Sequence, residues 1–379
     1  MDNSSKLTRR SILHLGTQAA AAAGLASLFG SSASASSGAN RACVCIYLIG
    51  GNDSNNMIVP LDAAAYGAYA RGRGALALAA GDLLSVRDPA TSASYGFHPS
   101  LTGLRDLYNQ GVLAVLANVG RMDGPVNKAQ LLANPAQLPK DQFEHTGMPQ
   151  VRYLPNARLT IPWVPTTSPL STLDHGVTLA APDAGPASPR SSAQAGTVVR
   201  LPEFPRTRLG MGLEVVARSL SRGDFQQDAY FCALSGFDTH TNELSRQAEL
   251  FSELNDALVA FHEALRASGL ADRVTTFTQT DFNRTLAPNA QGGADHAWGG
   301  HQLILGGSVH GGEIFGRFPS LELGGPDDLG TTGVWIPTTS IQQYAASLAT
   351  WFGVSRFAEL AEFSGMRGAA QQPLTFLTN

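Results

Sequence analysis

The chain has 379 residues, 43% of them hydrophobic and 15% charged. That supplies enough apolar material for a large core and excludes a disordered, collagen-like or coiled-coil chain. A net charge of −4 argues against a broad nucleic-acid surface, and three cysteines are too few for a disulfide scaffold.

The first 35 residues read as an address. Lys6, Arg9 and Arg10 precede an Ala-rich apolar run from about Thr17 to Phe29, and Ala33-Ser34-Ala35 closes it. Charged start, apolar middle and small-residue end define an export signal, and the paired arginines favour the twin-arginine translocase as its partner. The run is too short and too mildly apolar for a stable membrane span. The expectation is a periplasmic or secreted protein with no transmembrane span after cleavage. Residues 36–379 then form a single domain. Cys43 and Cys45 share one face of a strand with parallel Cβ vectors, so they are expected as buried free thiols.

The continuous apolar run at 43–49 predicts a strand buried on both faces, 112–119 a second buried strand, and 229–234, 274–278 and 302–305 three further strands. Between them lie helical spacings. Leu101, Leu104 and Leu107 mark one helix. Leu244, Gln247, Phe251, Leu254, Leu258, Phe261 and Leu265 mark the strongest, with Gln247 its one polar member and Gly269 its stop. Ser340 caps a third, through Ile341, Tyr344, Leu348 and Trp351. Strands alternating with helices predict an α/β fold with a mainly parallel sheet. Residues 147–208 show little periodicity and read as a loose, shortened insertion.

Asp53, Asp238 and Asp281 each follow a predicted strand. In a parallel sheet the carboxyl ends of the strands share one edge, where ligands bind. His240 follows Asp238 by two, and Asp295, His296 and His301 lie in a Gly-rich loop. Mixed Asp and His ligands suit a divalent metal, Zn or Mn better than Ca or Mg. The plainer reading of each residue alone is a turn residue or a helix cap.

Several segments together resemble the exported family called domain of unknown function 1501. They are Leu48-Ile49-Gly50-Gly51-Asn52-Asp53, Tyr95-Gly96-Phe97-His98-Pro99, Phe237-Asp238-Thr239-His240, Phe277-Thr278-Gln279-Thr280-Asp281-Phe282-Asn283-Arg284, the loop from Gly293 to His301, and Ile336-Pro337-Thr338-Thr339-Ser340. That family is similar in turn to the alkaline phosphatase and sulfatase superfamily. The resemblance implies a three-layer α/β/α sandwich, one or two divalent metals, and cleavage of phosphate or sulfate esters. By the same resemblance Asp53 matches the first-strand metal ligand, Asp238 and His240 a middle pair, Asp281 a later acid and His296 a late histidine. The family's Ser near the nucleophile position is Glu144 here, with Thr146 two residues on.

Two readings follow. In the first, an exported metal-dependent hydrolase acts on a small anionic ester or an envelope polymer. Thr146 or a metal-activated water attacks, His145 or His301 moves the proton, and Arg284 steadies the anion, unless it is a structural ion-pair partner. In the second, the same scaffold binds metal or an envelope partner and turns nothing over.

Overall fold

The computed structural model describes residues 40–122, 124, 126–138, 143, 145, 158–160, 200–223, 225, 227–353 and 374–378. The signal segment, Thr146 and most of the 147–208 insertion lie outside the described residues. The strands are β1 (Arg41–Ile49), β2 (Ile58–Pro60), β3 (Leu84–Arg87), β4 (Ser94–Phe97), β5 (Leu113–Gly120), β6 (Arg158–Thr160), β7 (Gln227–Ser235), β8 (Val274–Thr280), β9 (Asn283–Arg284), β10 (His296–Ala297), β11 (Gly300–Leu305), β12 (Ile314–Phe315) and β13 (Thr339–Ser340). The α-helices are α1 (Ser54–Met57), α2 (Ala63–Arg73), α3 (Thr102–Asn109), α4 (Lys128–Ala133), α5 (Arg208–Leu220), α6 (Glu243–Ala267) and α7 (Ile341–Trp351).

The main sheet runs β12-β5-β11-β8-β1-β7-β6, with β13 also on β5. All its pairings are parallel except those of β11, which is antiparallel to β5 and β8. The apolar run of β1 is central for a physical reason. Its residues alternate between two faces, and both are covered. Val44, Ile46 and Leu48 join the apolar cluster of α3, α5 and α6, while Cys43 and Cys45 join that of α7. Burying each large aliphatic side chain there stabilises the fold by about 1.5–3 kcal/mol. The result is an α/β sandwich with a mainly parallel central sheet and helices on both faces. All three cysteines are buried and free.

The three helices expected from spacing appear as α3, α6 and α7, and α7 carries its expected cap. Ser340 forms a capping box with Gln343 at the start of α7. Gln247 interrupts the apolar stripe of α6 because its side-chain amide donates to the Asp53 carbonyl at 2.5 Å. Several features depart from the sequence reading. A small antiparallel sheet, β2-β4-β3, lies apart from the main one, and strand β6 inside the supposedly loose insertion extends the main sheet beyond β7.

The register places the site. Ile49 at the end of β1 pairs with Ser235 at the end of β7, and Leu48 pairs with Thr280 at the end of β8. Asp53, Asp238 and Asp281 therefore leave the sheet at one rim. Gly50 and Gly51 sit there at φ +118° and +90°, and a Cβ on Gly50 would lie 2.4 Å from the Asp238 backbone nitrogen. Gly50→Ala is expected to lower stability by about 1–3 kcal/mol, measurable by urea unfolding, because it meets backbone in a conformation L residues avoid.

Candidate metal centre

The side chains that meet at this rim come from four segments. Asp238 and His240 follow β7, Asp281 follows β8, His296 starts β10, and His145 reaches in from a turn. Asp238 is the hub. Its Oδ1 lies 3.2 Å from His240 Nε2 and 3.5 Å from His296 Nε2, and its Oδ2 lies 3.5 Å from His145 Nε2. His240 and His296 present their Nε2 atoms to each other at 3.1 Å. His145, Asp238 and His296 form a group whose ligand atoms all lie within 4.8 Å of one another. The centre is open to solvent: Asp238 is 48% exposed and His240 43%.

Each histidine is held from behind by its other nitrogen. His296 Nδ1 meets the Phe143 carbonyl at 2.6 Å, His240 Nδ1 meets Asp295 Oδ1 at 3.0 Å, and His145 Nδ1 meets Asp281 Oδ2 at 3.5 Å. A carbonyl only accepts, so His296 carries its proton on Nδ1. Arg284 Nη1, which only donates, lies 3.4 Å from His240 Nε2 and marks that nitrogen as the lone-pair side. Two imidazole lone pairs and a carboxylate oxygen therefore face one another, and the Arg284 guanidinium donates to two of the three. Their separations of 3.1, 3.2 and 3.5 Å bracket the roughly 3.3 Å edge of a tetrahedron with metal–nitrogen bonds of about 2.0–2.1 Å. The donor set thus fits a divalent metal. Anchored Nδ1 atoms behind convergent Nε2 atoms are also what a metal site requires of its histidines.

The carboxylates dominate the local electrostatics. Hydrogen bonds to Asp238 and Asp281 push His145 up to about 9. Burial opposes ionisation of Asp238, but hydrogen bonds from His145 and Arg284 outweigh it and hold the carboxyl well below its ordinary range. The hydrogen bonds from Asn289 and His240 likewise lower Asp295, against its partial burial.

Several residues expected at the site from sequence do other work. Asp53 is buried and caps α1, with one oxygen accepting from the Asn55 backbone and side chain and the other bound to Arg73. It is not in the histidine group. His301 is buried too: its Nδ1 accepts from the Asn118 backbone at 3.1 Å, its ring stacks on Phe318, and burial pulls it down to about 3. A neutral, enclosed ring of that kind does not shuttle protons to substrate. Arg284 is fully buried and spends its donors on the Gly50, Gly51, Phe237 and Ala294 carbonyls and on Asp238, so it clamps the rim instead of binding an ester anion.

Asp281 and Asp295 stand behind histidines as orienting groups. Asp281 is itself fixed by the Tyr47 hydroxyl at 2.6 Å and the Gly50 amide at 2.7 Å. Asp281→Asn is expected to weaken zinc binding about 10–100-fold without changing the number of ions bound, as read by calorimetric titration. Sequence reasoning missed Tyr47, Arg73 and Glu243, none of which carries a motif; Tyr47 and Glu243 sit inside apolar or helical runs.

The family model described as "Protein of unknown function (DUF1501)" matches residues 216–347. This is the family that the sequence motifs resemble. The DUF1501 match contains Asp238, His240, Asp281, Arg284, Asp295 and His296, and leaves Asp53 and His145 outside it. No curated protein matches the chain. Among solved structures it is similar to the C-terminal periplasmic domain of EcEptC from Escherichia coli in complex with Zn, at 13% identity, TM-score 0.31, covering 72% of this chain and 75% of that one. It is similar to a protein in the alkaline phosphatase superfamily from Vibrio parahaemolyticus, at 10% identity, TM-score 0.33, covering 92% and 76%. It is also similar to a Bacteroides thetaiotaomicron protein from a study of glycosaminoglycan metabolism, at 10% identity, TM-score 0.35, covering 89% and 75%.

Proposed function

We propose that this is an exported, metal-dependent hydrolase-like protein of the cell envelope, directed at phosphate or sulfate esters. The observation that supports it most is the convergence of three Nε2 atoms on Asp238, each ring held by its Nδ1. His145, Asp238, His240 and His296 would hold the ion, with zinc or manganese suited to that donor set. When bound, a divalent cation there supplies Lewis-acid charge to an ester oxygen and to an attacking water. The protein's own residues do the rest. Phe143, Asp295 and Asp281 fix the imidazoles, Arg284 holds Asp238 in place, and half-exposed His145 keeps a proton against Asp281. Either that water or the hydroxyl of Thr146, next to His145 in sequence, is proposed to attack.

Export rests on the signal pattern, together with the fact that no helix among the described residues is long and apolar enough to cross a membrane. A second reading, metal binding without turnover, is favoured by Glu144 in place of the family's Ser and by the full occupation of Arg284.

Elemental analysis of exported protein, with turnover of p-nitrophenyl phosphate and p-nitrophenyl sulfate, tests these readings. Bound zinc or manganese and turnover that disappears in His296→Ala is the expected result. Bound metal without turnover on either ester selects the second reading, and protein that takes up no divalent ion sinks both.

A further inference from the structure

A second acid pocket lies beside the histidine cluster and is closed to solvent. Asp53 and Glu243 face each other across Arg73, with side-chain exposures of 1%, 0% and 0%. Arg73 donates from Nη2 to both carboxylates, the Glu243 contact being 3.0 Å. Its Nε donates to Asn56 Oδ1 at 3.1 Å, and its Nη1 to the Thr285 and Leu286 carbonyls at 3.0 and 3.1 Å. The other Asp53 oxygen accepts two bonds from Asn55, each 2.9 Å.

We infer that the Arg73 guanidinium is the permanent cation of this pocket, so that the protein binds one divalent ion per chain, at the histidine cluster, and none between Asp53 and Glu243. A metal there would have to expel a buried guanidinium from five acceptors, leaving it unpaired in an apolar setting. Asp53 would also have to give up the bonds that cap α1. A planar donor fork already satisfies two carboxylates at once, which is what such a group does best. The two pockets adjoin through one segment. The Arg284 side chain holds Asp238, its carbonyl accepts from Asn55, and the next two carbonyls accept from Arg73.

This inference rests on the metal reading given above, and the test separates the two. Metal-stripped full-length protein is loaded with excess zinc and desalted. Retained zinc is then counted per chain in the wild type, Asp53→Asn and His296→Ala, with folding checked by circular dichroism. The expected result is one equivalent in the wild type and in folded Asp53→Asn, and none in His296→Ala. Two equivalents in the wild type, or loss of zinc from folded Asp53→Asn, would overturn the inference and leave the histidine site standing. If Asp53→Asn does not fold, the wild-type count decides alone. No retained zinc in the wild type would overturn the metal reading and this inference with it.

Discussion

Arg73→Ala is expected to lower the unfolding free energy by about 3–5 kcal/mol, measured by urea denaturation of the metal-free protein. The figure is that for breaking a buried ion pair by removing one partner. Here the loss strands two carboxylates, Asp53 and Glu243, in a region with almost no solvent access. Burial pulls the Arg73 guanidinium down to about 10, partly offset by Glu243, so it still carries its charge at neutral pH. Burial likewise pushes Glu243 up, against the pull of Arg73. Removing the guanidinium also frees the Thr285 and Leu286 carbonyls that shape the rim. Arg218→Ala is the control. That arginine pairs with Glu214 on the exposed side of α5, and its loss is expected to change stability by less than about 0.5 kcal/mol.

Asp238→Asn is expected to weaken zinc binding by more than about 100-fold, beyond the range for a residue that only orients a ligand. Every convergent nitrogen in the centre faces this carboxylate. The amide keeps an oxygen for the 2.6 Å bond from Arg284, so the rim stays assembled while the negative charge is removed. Chelator-competition titration reads the affinity, and thermal unfolding of the metal-free variant reads the fold. A large drop in the first with little change in the second isolates the electrostatic contribution of Asp238 to holding the ion.

Central strands of the main sheet such as β1 could be read from sequence because burial on both faces leaves an unbroken apolar run, as in 43–49, whereas the short β6, β12 and β13 could not. Nor could the small β2-β4-β3 sheet. Its strands are three or four residues long and one contains Pro60. The rim was legible for a topological reason: acids following parallel strands must emerge at one edge. What each acid does there depends on partners that spacing does not reveal. Asp53 and Asp238 each follow a strand, yet Arg73 claims the first and the second faces three imidazoles. Asp281 reads as a ligand in sequence, but Tyr47 and Gly50 hold it behind His145. His301 shares a loop with His296, yet it lies on β11 and turns into the core, where Asn118 meets it. Side-chain direction, set by neighbours far away in sequence, separates a ligand from its support.

X-ray absorption at the zinc edge of the loaded full-length protein tests whether imidazoles hold the ion. The expected spectrum shows nitrogen and oxygen neighbours at about 2.0–2.2 Å with the outer-shell scattering of two or three imidazole rings. A zinc environment of oxygen atoms alone, without imidazole scattering, would contradict it.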